Sequence, residues 1–247
     1  TWPSRRGRLR AEDPIAIAHP NAGPYLVSTT AIAIENTHNF GGGTVQSIEE
    51  IKKLRRTSQE MGISLHLDGA RIWNAHIASG IGLKDFGAHV DTLSVCLSKG
   101  LGAPVGSLMI STRERIARAR VWRKRYGGGM RQIGILAAAG HYALDNNVIR
   151  LTEDHIRARK LAEACHKAVS STIDPANVET NIVALDITGA SINAAEFAAR
   201  AKEKGLLLSA LGPNFVRLVT HLDIDDESTE KAGKILVDLL QSAFVAK

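Results

Sequence analysis

Two side chains define the chemistry this sequence could perform: Asp68, directly after the apolar run ISLHL, and Lys99, in SKG at the end of DTLSVCLS. A lysine desolvated in a pocket holds its proton less tightly and becomes a nucleophile for carbonyl carbons. A carboxylate followed by the small residues Gly69 and Ala70 leaves room for a ligand, and could hold a metal, a ribose hydroxyl or a protonated ring nitrogen. Each residue also has a plainer reading. Asp68 could cap a helix beginning at Ala70, and Lys99 could snorkel from a strand end. Placement favours chemistry, because ligands of open α/β sheets lie beyond the carboxyl ends of the strands. Three such ends here are polar and glycine-rich: ENTHNFGGG, DGAR and SKG.

Apolar runs of strand type alternate with helical patterns, the signature of an α/β sheet. TTAIAIE (29–35), ISLHLD (63–68), DTLSVCLS (91–98) and VGSLMIS (105–111) read as strands. Their nearly continuous apolar character predicts a sheet covered on both faces. SIEEIKKLRRTSQEMG predicts a helix opened by a Ser47/Glu50 capping box and stopped at Gly62. A basic helix follows at 113–126, then QIGILAAAGHYALDNN (132–147), whose small residues predict a tightly packed helix. Beyond it the texture changes to a long mixed-charge helix (149–171), strands at 181–187 and 215–220, a helix at 193–205 and a closing helix from about 226. The expected organisation is a large α/β domain over 1–147 and a smaller α+β domain over 148–247. The large domain has about four strands, fewer than a large doubly wound sheet carries.

The 247 residues, 44% of them hydrophobic, are enough to bury a sizeable core. No apolar stretch spans the roughly 18 residues needed to cross a bilayer, and the basic start TWPSRRGRLRAEDP lacks a signal-peptide core. Cys96 and Cys165 match neither a disulfide framework nor metal-ligand spacing; they suit a core in a reducing cytoplasm, and no metal site is expected. The net charge of +6 is concentrated in RERIARARVWRKRY, in KKLRR and near the start. With no known reader motif this charge reads as a solvated face, with no nucleic-acid partner and no membrane expected.

An amine and an acid at neighbouring strand ends are what a pyridoxal phosphate site requires, the lysine for the aldehyde and the aspartate for the ring nitrogen. ENTHN, HLDGARIWNA, CLSKGLGAPVGSLMI, WRKRYGGGMRQIGILAAAG and VRLVTHLD occur in this order. Together they resemble the low-specificity L-threonine aldolases, pyridoxal-phosphate enzymes of the aminotransferase-like fold type I, from about residue 25 to the end. The resemblance implies retro-aldol cleavage of a small β-hydroxy-α-amino acid, L-threonine or L-allo-threonine, to glycine and acetaldehyde. It makes Lys99 the Schiff-base lysine and Asp68 the partner of the pyridinium nitrogen. Arg71 is similar to the arginine near the cofactor's phenolic oxygen and the substrate carboxylate, and Arg217 to the small-domain arginine that holds that carboxylate. Arg131 resembles an arginine reaching the cofactor phosphate, Ser98 a further phosphate contact, and Lys124 a lysine close to the site on the substrate side. His38, His66 and His221 match family positions in supporting roles.

The resemblance further implies a cytoplasmic homotetramer with sites at subunit interfaces. Two departures stand out. Where relatives often place a histidine about ten residues before the ENTHN glutamate, this chain has Tyr25, with His19 a few residues earlier. The glycine-threonine phosphate loop and ring-stacking histidine of the family's N-terminal third are not found, so the chain is expected to correspond to the C-terminal two-thirds of such an aldolase. Two other readings share the same residues: another fold type I lyase or aminotransferase, which would also use Lys99 and Asp68, and a truncated chain without catalysis.

Overall fold

The alternation of short apolar runs with amphipathic stretches becomes, in a computed structural model, two compact units, with residues 1–244 described. One unit comprises Thr1–His38 and Val45–Ile149; the other comprises Asn39–Thr44 and the chain from Arg150 onward.

In the first unit a short helix α1 (Glu12–Ala16) precedes β1 (Ala31–Glu35), α2 (Ile48–Glu60), β2 (Ser64–Gly69), α3 (Ile72–Ser79), α4 (Leu83–Ala88), β3 (Thr92–Cys96) and β4 (Ser107–Ile110). The sheet order is β1-β2-β3-β4; the first three strands are parallel and β4 returns antiparallel. Parallel pairing needs a crossover, supplied by α2 and then by α3 with α4. Ile32, Ile34, Leu65, Leu67, Leu93 and Val95 point to one face, where Ile51 and Leu54 of α2, Ile72 and Ala75 of α3 and Phe86 of α4 bury them.

The opposite face departs from expectation. Burial alternates along β1 and β2, and every residue of β4 is exposed. This face carries Ala31, Ala33, Ser64, His66 and Ser94, and among the described residues no helix layer seals it as it seals the other. The apolar character of the strands is thus spent on one face only. The capping box also fails to form. Ser47 occupies the N-cap position of α2 without a side-chain bond, and Glu50, the other half of the box, turns its carboxylate to the Ala11 N–H (2.8 Å) and to Lys53. A tertiary donor and an ammonium group outcompete the local bond.

α5 (Arg113–Arg125) buries none of its residues, and α6 (Gly134–Asn146) buries only Gly140 and Ala143. The tight packing expected along α6 is confined to that one stretch, and Ala137 and Ala138 are exposed. Ile135 and Tyr142 are exposed on it.

The second unit runs α7 (Leu151–Ala168), β5 (Ile182–Asp186), α8 (Ala194–Glu203), β6 (Ser209–Ala210), β7 (Phe215–Val219) and α9 (Asp226–Phe244). Its sheet is antiparallel in the order β5-β7-β6. Val183, Leu185, Val216 and Leu218 face Leu161, Cys165, Phe197, Leu236 and Leu240 of the helices. The Cys165 thiol is pushed up to about 12 by burial, as expected of a core cysteine. No helix of the described residues is long and apolar enough to cross a membrane.

Candidate functional site

Strand register assembles the site. Glu35 pairs with Asp68, and Asp68 pairs with Ser94, so the carboxyl ends of β1, β2 and β3 lie side by side. Asn36 continues the ladder, its N–H donating to the Asp68 carbonyl at 2.9 Å. Asp68 is exposed at this edge, and its Oδ1 accepts the Ala70 N–H at 3.0 Å. That bond makes a local turn; α3 starts later, with Arg71 at its N-cap position. Gly69 is required by packing, because a Cβ there would lie 2.6 Å from Leu93 Cδ1 and 2.8 Å from the Ser94 carbonyl.

Lys99 stands on the turn that follows β3. Buried Leu97 and Leu101 anchor the turn from within, while Ser98 and Lys99 are exposed between them. The turn is closed by Gly102 N–H to the Lys99 carbonyl (2.9 Å) and Ala103 N–H to the Leu97 carbonyl (3.0 Å). Two side chains brace it from elsewhere in this unit: the Trp73 indole donates to the Cys96 carbonyl (2.9 Å) and Asn147 Nδ2 to the Leu101 carbonyl (2.8 Å). Ser98 Oγ lies 3.3 Å from Cys96 Sγ. The desolvated amine expected of Lys99 is not found in this chain, because the turn sits at the open edge of a sheet with one covered face.

Asp68 also lines a cavity of about 410 Å³, together with Glu35, His38, Gln46, Trp2 and Ser4. His38 lies 3.8 Å from the Glu35 carboxylate, and Gly7 packs directly against its ring. His66 Nδ1 is 2.7 Å from Thr92 Oγ1 on the neighbouring strand, a bond that orients the ring. Arg71 is partly buried beside Asp68 in sequence, whereas Lys124, near the end of α5, and Arg131, between α5 and α6, are exposed. His19 and Tyr25 are exposed as well.

Arg217 belongs to the second unit, on β7, where its Nη1 donates to Asn39 Oδ1 at 2.9 Å. Its Nε is buried and meets no acceptor among the described residues. The structure therefore gathers Asp68, Ser98 and Lys99 at adjoining strand ends of one unit, and places Arg217 on the sheet of the other.

The residues at the strand ends fit a pyridoxal-type cofactor. An anion that can hold a ring N–H and an amine that can take an aldehyde stand on neighbouring strands. Beside them Asn36 and Thr37, both buried, leave Asn36 Nδ2 and Thr37 Oγ1 without partners among the described residues. Buried polar groups are ordinarily bonded, so two adjacent orphans at this edge mark a place where further polar atoms belong. Within ENTHN the family resemblance points only to His38. Asn36 and Asn39 carry the same signal, since polar residues immediately beyond a strand are where ligands and their supports sit.

The model of the beta-eliminating lyases matches residues 3–188. The chain belongs to the beta-eliminating lyase family. Among similar lyase relatives is the low specificity L-threonine aldolase of Escherichia coli (strain K12), 44% identical over 203 residues. That match covers 82% of this chain and 58% of the relative. The chain thus spans less than two thirds of the length of curated relatives it matches. The solved threonine aldolase of Leishmania major superposes with a TM-score of 0.72 at 19% identity, covering 97% of this chain and 70% of that one. The N-acetylornithine aminotransferase of Stenotrophomonas maltophilia gives 0.63 at 17% identity, over 88% and 58%. These likenesses show the fold, the α/β architecture of fold type I, with a mainly parallel sheet and a separate small sheet.

Proposed function

We propose that this chain is the cofactor-binding and small-domain part of a pyridoxal-phosphate-dependent lyase that cleaves L-threonine or L-allo-threonine to glycine and acetaldehyde. The observation that carries the reading is the register of β1, β2 and β3. It sets the Asp68 carboxylate beside the strand whose following turn presents Lys99. Identity of 44% to an L-threonine aldolase supports the substrate class.

Pyridoxal phosphate, when bound, supplies an electron sink for the pair released as the Cα–Cβ bond breaks. Lys99 holds the group covalently through its aldehyde. Asp68 keeps the ring nitrogen protonated by offering a fixed negative charge, and its remaining carboxylate oxygen is free of the Ala70 turn bond to do so. Ser98 and Arg131 serve the phosphate. Arg71 and Arg217 fix the substrate carboxylate, a task suited to the planar guanidinium fork. Lys124 serves the substrate side of the site. Holding the carboxylate would fix the substrate's orientation about Cα, so that the Cα–Cβ bond is the one presented for cleavage.

The working form in this reading is a cytoplasmic homotetramer. The exposed Ile135 and Tyr142 of α6 and the exposed Leu108, Met109 and Ile110 of β4 support self-association.

The test incubates the protein with pyridoxal phosphate and L-threonine and measures acetaldehyde and glycine. Acetaldehyde in equal amount to glycine is expected. Ammonia or a keto acid without acetaldehyde would instead assign another fold type I lyase or an aminotransferase. A protein that gains no borohydride-reducible absorption band with the cofactor is not a competent enzyme by itself.

A further inference from the structure

We propose that Asn39 is a positioning residue for Arg217, turning the guanidinium so that its Nε/Nη2 edge receives the substrate carboxylate. The inference rests on the reading of Arg217 as the carboxylate-holding residue and adds the group that aims it.

Asn39 opens a six-residue segment, Asn39–Thr44, that packs as part of the second unit although it follows β1 in the chain. Its seat is the face of the β5-β7-β6 sheet opposite the helices. Thr180 Oγ1 donates to the Gly43 carbonyl at 2.8 Å. Gly43 approaches β5 so closely that a Cβ on it would fall 2.4 Å from Thr180 Oγ1 and 3.2 Å from Ile182 Cβ. Gly42 does the same above Ala184, at 3.2 Å from its Cβ. Ala184 is the cross-strand partner of Arg217. Small residues on both sides thus let the segment lie flat on the sheet beside the arginine, and this brings Asn39 Oδ1 within 2.9 Å of Arg217 Nη1 over 178 residues of sequence.

The geometry divides the guanidinium. Asn39 takes one of the two Nη1 donors. On the other side of the guanidinium, the Nε/Nη2 edge, Nε is buried with no acceptor among the described residues. An orphaned donor in a charged group is costly, and a carboxylate oxygen is the acceptor that offsets it best. A neutral amide suits the partner role. It fixes the arginine through one bond without cancelling its charge, as a carboxylate at position 39 would.

The test measures glycine binding by calorimetry and threonine cleavage kinetics on the cofactor-loaded protein. Asn39→Ala is expected to raise KM for threonine and Kd for glycine about tenfold while kcat stays within about twofold, the split expected when uniform binding is lost. Asn39→Asp, isosteric and able to fold alike, is expected to raise both about 100-fold by pairing with the guanidinium. In an Arg217→Ala background the Asn39→Ala change is expected to add nothing, because the two act as one unit. If Arg217→Ala weakens glycine binding and the two Asn39 variants do not, the positioning role is overturned and the Arg217 reading stands. If Arg217→Ala leaves glycine binding unchanged, the Arg217 reading itself fails.

Discussion

Gly43→Ala is the perturbation most directly set by the structure, because the seat of the Asn39 segment depends on a missing side chain. The added methyl would lie 2.4 Å from Thr180 Oγ1, inside any tolerable contact, and Thr180 is fully buried. Either the segment lifts or Thr180 turns away, and both break the 2.8 Å bond to the Gly43 carbonyl. Leaving that buried pair unmade costs about 1–3 kcal/mol. The backbone at φ +76° adds about 1–2 kcal/mol for an L-residue. Reduced freedom of the unfolded chain returns about 0.4–1 kcal/mol. The net loss is about 1–4.5 kcal/mol.

Gly205→Ala is the internal control, being in the same unit at φ +84° with nothing within 4 Å of the added methyl. It carries the backbone cost alone, about 0.5–1 kcal/mol net. All Trp and Tyr residues lie in the first unit, so intrinsic fluorescence is blind to this change. Amide hydrogen exchange of β5 and α7 reads the second unit directly. The slowest amides there are expected to exchange roughly 10- to 100-fold faster in Gly43→Ala than in Gly205→Ala, at about tenfold per 1.4 kcal/mol. Equal exchange rates in the two variants would refute the close-packed seat, and with it the structural basis for placing Asn39.

Three further outcomes are expected. Lys99→Ala should abolish the borohydride-reducible absorption band formed with pyridoxal phosphate while leaving the unfolding free energy from urea titration within about 0.5 kcal/mol of the parent, since Lys99 is exposed. Asp91→Ala should destabilise the first unit by about 2–4 kcal/mol in urea unfolding followed by Trp fluorescence, because Asp91 joins Arg55 (2.5 Å), Arg115 (3.0 Å) and the Leu65 N–H (2.9 Å). Burial opposes its charge, but those three partners hold its carboxyl below the usual range. Burial lowers His155 from 6.5 to about 4. The unfolded chain therefore takes up a proton first as pH falls, so stability of the second unit should drop by about 3 kcal/mol between pH 6.5 and 4 and level off below. His155→Gln should flatten that slope, as measured by circular dichroism melts.

Most of the order of strands and helices, and the polar residues at the strand ends, were legible in the sequence; the short α1 and β6, and the separation of α3 from α4, were not. Apolar runs, a strand-end aspartate and a strand-end lysine are local patterns, and local patterns follow from side-chain periodicity and turn chemistry. The sequence therefore determined Asp68 and Lys99 as the candidate acid and amine, and its family motifs added Arg71 and Arg217. What it left open depends on contacts between distant residues. Glu50 satisfies Ala11 and Lys53 instead of capping its own helix, because tertiary partners compete for a carboxylate that periodicity assigns locally. The apolar strands cover one face and α6 packs loosely, since burial is a property of what surrounds an element and not of its composition. Asn39 meets Arg217 only because two glycines let one backbone segment lie against a sheet formed over a hundred residues later. Strand ends can be read from the chain; which polar group aims which arginine is decided when the chain folds back on itself.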